Sequence, residues 1–232
     1  MPLIALFDID KTLIARSSAH LRAFFMSLKA VYGVEAEANV IKHYGMTDQQ
    51  IIREVLRVKG LDEKTIDNGI KRCMRVMVER FNELNPADTI ELLPGVFDLL
   101  EALKKQGAHI GLVTGNLEEI ARAKLKKAGV GHYFTFGGFG SDSGERREMA
   151  ALALKRCGAL YNMTVSNRAV LFGDTPYDME AARSIDALAV GVATGYPTKQ
   201  DLLAAGADVV FDNLADTEAV MEAIRDNLSS HS

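Results

Sequence analysis

The chain has 232 residues, of which 48% are hydrophobic, and a formal net charge of −4. A chain of this length and apolar content can bury a real core, as one large domain or two modest ones. Mildly acidic charge without a basic stripe argues against a general nucleic-acid binder. The two cysteines, Cys73 and Cys157, lie far apart and read as reduced thiols, not as a disulfide framework. The N-terminal residues lack a secretory signal pattern, and no run of 18 or more apolar residues suggests a membrane span, so a cytoplasmic protein without a membrane partner is expected.

The first predicted element is "LIALFD" (3–8), a short apolar run bounded by polar residues, as in a strand buried on both faces of a parallel sheet. A long interval follows. Leu21, Phe24, Phe25 and Leu28 form one helical stripe, Ile51, Ile52, Val55 and Leu56 a second, and Ile66, Ile70, Met74, Met77 and Phe81 a third. Three or four helices are too many for one crossover connection and predict a small helical second domain. "ELNPADTIELLPG" (83–95) reads as its return linker, and the stretch from Ala15 to Ser18 as the outgoing one. Within this insert, "YGMTD" (44–48) enters a helix with Thr47 or Asp48 as N-cap. Lys42 and His43 beside it are expected to be solvated.

Beyond the linker, Val96, Leu99, Leu100 and Leu103 mark a helix behind Pro94. "HIGLVT" (109–114) is the second strand, and the helix carrying Leu117, Ile120 and Leu125 stops near Gly129. "YFTF" (133–136) is a weaker strand candidate, followed by "GGFGSDSGERRE", read as a flexible glycine-rich loop, and a helix over 146–156. "AVLFG" (169–173), "LAVGVA" (188–193) and "DVVF" (208–211) complete the strands, and the tail "NLSSHS" is expected to fray. Strands alternating with helices give an α/β fold: a Rossmann-like doubly wound parallel sheet over residues 1–15 and 87–232, with a small all-helical insert over 16–86.

Ligands of open α/β sheets bind outside the carboxyl ends of the strands. There the sequence places Asp8, Asp10 and Thr12, then Thr114, Gly115 and Asn116, then Asp174, Thr175 and Asp178, with the pair Arg146 and Arg147 nearby. Like carboxylates at close range repel, and a divalent cation removes the difficulty. Mg²⁺ favours one or two carboxylates plus waters and phosphate oxygens. The chemistry that fits is phosphoryl transfer through an aspartyl phosphate. One carboxylate attacks phosphorus. A second acid two residues on projects to the same side of an extended segment and can serve as general acid and base. The hydroxyl and amides of Thr114 to Asn116 suit phosphate oxygens, and an arginine supplies countercharge.

"DIDKT" (8–12), "LVTGN" (112–116) and "GDTPYD" (173–178) together resemble the haloacid dehalogenase superfamily of phosphohydrolases, over the whole chain and with the insert where a type 1 cap stands. The resemblance implies Asp8 as nucleophile, Asp10 as general acid/base and Thr114 as a phosphate ligand. It implies an Mg²⁺ site made by Asp8, the Asp10 carbonyl and Asp174, supported by Asp178, and one inward basic residue, Arg146 or alternatively Arg147. It also implies that the loop containing Thr47 faces the substrate. His20 is either a hinge histidine of the kind sugar phosphate mutases have or a half-exposed helix histidine. Lys11 stands where the family usually has glycine and is read as a surface residue. An acid at Asp10 points away from carbon–halogen cleavage. The expected activity is Mg²⁺-dependent hydrolysis of a small phosphorylated metabolite of the phosphoglycolate type or a sugar phosphate. A phosphosugar mutase is the alternative. A phosphoacceptor receiver fits less well, because its aspartate follows a later strand and it has no helical insert after the first.

Overall fold

The computed structural model describes residues 2–37, 41, 44–164 and 168–229. Six parallel strands form one sheet: β1 (Ile4–Phe7), β2 (His109–Thr114), β3 (Phe136–Phe139), β4 (Ala169–Gly173), β5 (Leu188–Val192) and β6 (Val209–Phe211). Their order across the sheet is β3-β2-β1-β4-β5-β6, which places β1 in the middle with Phe7 between Leu112 and Phe172. This is the α/β Rossmann-like arrangement expected from the sequence. The strand order reverses beside β1, so the residues that follow it stand at the switch point where such sheets bind ligands.

Side-chain alternation explains why β1 is apolar throughout. Ala5 and Phe7 point into a cluster with α4 (Val96–Lys105), α5 (Glu118–Lys127) and α9 (Thr217–Ser229). Ile4 and Leu6 point the other way, into a cluster with α6 (Arg146–Tyr161), α7 (Pro176–Ser184) and α8 (Lys199–Ala204). Both faces are covered, so no polar position survives in the strand. Cys73 and Cys157 are both free and buried. Among the described residues, no helix is long and apolar enough to cross a membrane.

Three helices leave the sheet after β1: α1 (Ser18–Tyr32), α2 (Asp48–Val58) and α3 (Glu63–Leu84). Their apolar faces form a third cluster, which also takes in Leu117 and Ile120 of the α5 region. The outgoing and returning segments run side by side and antiparallel. Ile14 bridges Leu92, and Leu93 N–H donates to Leu13 at 3.0 Å. Asp88 accepts from the hydroxyls of Ser17 (2.6 Å) and Ser18 (2.7 Å), tying the start of α1 to the return. The third helix runs to Leu84, so the return begins later than position 83.

Four further expectations shift. The strand read at 133–136 lies instead at Phe136–Phe139, because Tyr133 and Phe134 turn into the core behind a short 3₁₀ turn at Gly131–Tyr133. The "GGF" start of the presumed loop is therefore strand. A Cβ on Gly138 would lie 2.0 Å from the Met149 carbonyl oxygen, so only glycine lets α6 pack this closely. Helix α6 runs five residues beyond 156, to Tyr161, and α9 continues into the tail as far as Ser229. Lys42 and His43 lie outside the described residues, as do the last three of the tail.

The Gly138 contact yields a measurable expectation. Gly138→Ala forces α6 off β3 at a cost of about 1–3 kcal/mol, which for a chain of this size lowers Tm by roughly 2–4 °C per kcal/mol. Thermal denaturation followed by circular dichroism checks this, and an unchanged Tm would show that the helix has slack.

Candidate active site

The carboxyl edge of the sheet brings together two ionic clusters, one around Asp8 and one around Asp10. The first contains Asp8, at the end of β1, Asp174, which follows β4, and Asp178, in the first turn of α7. Carboxylate oxygens of the three lie within 4.8 Å of one another, and all three residues are buried. Arg146, which opens α6 and is itself buried, reaches into this cluster. Its Nη1 is 3.2 Å from Asp8 Oδ1 and donates to Asp178 Oδ1 at 2.5 Å. Arg147 lies on the surface, where its Nη2 is 3.6 Å from Glu180, so only one of the two arginines faces the site.

The other oxygen of Asp178 accepts from Thr175 N–H (3.0 Å) and Thr175 Oγ1 (2.6 Å). With Arg146 on Oδ1, Asp178 is committed to holding the arginine and the loop, consistent with a supporting place. Among the described residues, Asp174 takes only a 3.3 Å donation from Thr12. The consequences for ionisation follow from this imbalance. Burial pushes the Asp8 carboxyl up to about 6; Arg146 pulls it down, and Asp178 and Asp10 push it further up. Burial, then Asp8 and Asp178, raise Asp174 well above the ordinary carboxylate range against the pull of Arg146.

The second cluster was not foreseen from the sequence. Lys124, on α5, has no solvent exposure. Its ammonium contacts both oxygens of Asp10 (2.8 and 2.7 Å), Asn116 Oδ1 (2.7 Å) and His20 Nδ1 (2.9 Å). Asn116 Nδ2 donates to Asp10 at 2.8 Å and to Thr114 Oγ1 at 2.9 Å. Burial would raise the Asp10 carboxyl, but the charges of Lys124 and His20 and hydrogen bonds from Lys124 and Asn116 bring it below its ordinary value. Two carboxylates that are two residues apart therefore sit in opposite electrostatic settings. Thr114 is fully buried, whereas Gly115 and Asn116 line the cavity. His20 lies on helix α1 but is held inside this cluster, its side chain 15% exposed and not half-exposed.

The helical insert is seated directly on these residues. Thr47 caps α2 in a reciprocal box, accepting from Gln50 N–H (3.2 Å) while Gln50 Oε1 accepts from Thr47 N–H (3.0 Å). Thr47 is 1% exposed, so its hydroxyl serves the helix end. The next residue, Asp48, crosses to the sheet domain: its N–H donates to the Gly115 carbonyl (2.9 Å) and its Oδ2 accepts from Leu117 N–H (2.9 Å). Asp48 Oδ1 also lies 3.2 Å from His20 Nε2, though without hydrogen-bond alignment. A Cβ on Gly115 would meet Met46 O at 2.8 Å and Thr47 Cα at 2.9 Å, so this approach needs glycine. Lys11 takes a left-handed conformation (φ 70°), which explains why glycine suits this position, and it lines the cavity.

A model of the haloacid dehalogenase-like hydrolase family matches residues 5–192. The chain belongs to that family, and it is a hydrolase of the phosphatase kind. It is 26% identical over 226 residues to "Probable phosphatase IndB" of Dickeya dadantii, covering 95% of this chain and 94% of that one. It is 24% identical over 216 residues to a phosphoglycolate phosphatase of Pseudomonas putida, covering 92% and 78% respectively. Its fold is similar to that of a hydrolase from Pseudomonas syringae, with a TM-score of 0.73, 22% identity, and coverage of 96% of this chain and 99% of that one.

Two expectations test the electrostatics. An acid whose folded-state value is raised binds more protons folded than unfolded, so stability falls as pH rises from about 4 towards 6. In EDTA, Asp8→Asn should therefore raise Tm at pH 7.5, by a free energy of about 3 kcal/mol, and leave it near wild type at pH 4. Asp10 runs the other way. Its lowered value adds stability that is present above about pH 4 and is lost as pH falls. Lys124→Met should consequently cost more Tm at pH 7 than at pH 3, and an equal loss at both would show that Lys124 only fills space.

Proposed function

We propose that the protein hydrolyses a small phosphomonoester in two steps through an aspartyl phosphate on Asp8, with Mg²⁺ as cofactor. The observation that carries this reading is the buried carboxylate cluster of Asp8, Asp174 and Asp178 with Arg146 beside it, and a second acid, Asp10, two residues on. Asp8 stands in a crowded carboxylate cluster with an arginine at 3.2 Å, and Asp10 in a separate basic cluster built on Lys124.

The donor set fits a hard cation. Asp8 and Asp174 offer carboxylate oxygens whose ionisation is resisted in its absence, whereas both oxygens of Asp178 are engaged. Asp8, Asp174 and the Asp10 carbonyl would hold the ion. When bound, it would shield Asp8 from the anionic substrate and offset charge in the transition state.

In the first step the Asp8 carboxylate attacks phosphorus, the ester P–O bond breaks, and the departing oxygen takes a proton from Asp10, which must first gain that proton against the pull of Lys124 and His20. In the second, water attacks the phosphorus of the aspartyl phosphate, gives its proton to Asp10, and orthophosphate leaves as the Asp8–phosphorus bond breaks. Arg146 would hold phosphate oxygens together with the amides of Gly115 and Asn116 and the Thr114 hydroxyl. Its buried Nε has no partner among the described residues. Lys124 stabilises the ionised Asp10 reached after the first step. That form can take the proton of the attacking water. Residues 16–86 would act as a cap over a core made of residues 1–15 and 87–232, with Asp48 and Thr47 seating it.

Phosphate release from a panel of phosphometabolites, with Mg²⁺ or with EDTA, tests this directly. Turnover should require the metal, and Asp8→Asn should lower it by at least about a thousandfold. Equal activity in Asp8→Asn would sink the mechanism, and rearranged sugar phosphate without free phosphate would establish the mutase instead.

A further inference from the structure

A cavity of about 400 Å³ opens between the carboxyl edge of the sheet and the helical insert. Its two ends differ in chemistry. At the sheet end stand Asp8, Asp10, Asn116, Arg146 and Asp174, the groups that serve a phosphate. The wall contributed by the insert is formed by Leu21, Phe24 and Phe25 of α1, Met46, and Ile51 and Val55 of α2. Such a volume holds an organic group well beyond two carbons.

Among the described residues, most polar groups of the insert side are already committed; His20 Nε2 has no hydrogen-bond partner, and Lys11 and Arg16 also line the cavity. The Ser17 and Ser18 hydroxyls donate to Asp88 at 2.6 and 2.7 Å. Both oxygens of Asp48 face groups of the protein, Leu117 N–H at 2.9 Å and His20 Nε2 at 3.2 Å. His20 Nδ1 faces Lys124 at 2.9 Å. Two charged residues of the insert side, Arg16 and Glu37, are exposed. The Arg16 guanidinium lies 4.9 Å from the centre of the Tyr196 ring, which in turn stacks on Tyr44 at 4.0 Å. A sugar would bring several hydroxyls, more than the few open polar groups can partner, and a glycolate carboxylate would gain nothing from the six apolar side chains.

We propose that the alcohol carried by the substrate is predominantly apolar: the physiological substrate is a phosphomonoester of an aliphatic or aromatic alcohol, and not phosphoglycolate or a sugar phosphate. This rests on the phosphatase reading and narrows it. Burying each further methylene against this wall adds about fourfold in binding.

Calorimetric binding of n-alkylphosphonates, from methyl to hexyl, to the Mg²⁺-loaded protein reads the wall without requiring turnover. Affinity should climb by about fourfold per methylene until the cavity is filled. Leu21 is 41% exposed, so Leu21→Asn preserves the fold, and it should lower hexylphosphonate affinity by about fivefold. A flat series would overturn the proposal, as would kcat/KM for 2-phosphoglycolate or ribose 5-phosphate equal to or above that for benzyl phosphate. Acetyl phosphate, whose leaving group is too small to report on the wall, is the separate control. Its failure to be hydrolysed would defeat the phosphatase reading while the phosphonate series still decides the character of the wall.

Discussion

Three carboxylates within 4.8 Å of one another at the end of a buried sheet are the constraint around which the site is built. Burial first, and repulsion between neighbours second, disfavour their ionisation, so the Asp8 and Asp174 carboxyls are raised. The protein compensates only partly. Arg146 is brought in from α6 and is secured by Asp178, which in turn is fixed by Thr175 at the start of α7. Each of these supports occupies a buried position that could have been apolar. A residual surplus of negative charge remains, a setting that suits a hard cation.

Asp10 is two residues from Asp8 yet belongs to a different electrostatic neighbourhood. Strand β1 ends at Phe7, and beyond it the chain turns so that Asp8 faces the arginine and Asp10 faces the lysine. The two acids thus diverge in proton affinity, one raised and one lowered, without any difference in residue type. The divergence runs opposite to the work assigned to them, since attack needs Asp8 ionised and protonation of the leaving group needs Asp10 protonated; a cation beside Asp8 would bring it towards its working state. The partners are on elements far apart in sequence: Arg146 on α6, Lys124 on α5 and His20 on α1. The sheet topology makes them neighbours.

Much of this was legible from residue pattern. Strands β2 and β4 coincide with "HIGLVT" and "AVLFG" because parallel strands buried on both faces leave unbroken apolar runs with sharp polar ends. Strand β3 was misplaced because its middle is Gly137 and Gly138, which signal a loop in sequence, whereas here Gly137 packs against Leu112 and Phe139 and Gly138 admits the backbone of α6. Lys124 was missed because "AKLKK" looks like a solvated helix end. A signal was present, since Leu117, Ile120 and Lys124 fall at i, i+3 and i+7 on one buried face. A lysine in phase with an apolar stripe is the mark of a buried charge with a partner elsewhere. The same phase distinguishes Arg146 from Arg147, because Arg146, Met149, Ala150, Ala153 and Cys157 share the buried face of α6. What no periodicity could supply is which distant residue answers each charge.

The Asp48 contact has an evolutionary side. Helix α5 has no side-chain cap of its own: Leu117 occupies the N-cap position and its amide is satisfied by a carboxylate from the inserted helices. Leu117 and Ile120 are likewise buried among insert residues. The insert is therefore not an interchangeable module that could be exchanged for an unrelated one by recombination at its two linkers. A replacement would leave an amide, an apolar patch and the Lys124 ammonium each short of a partner.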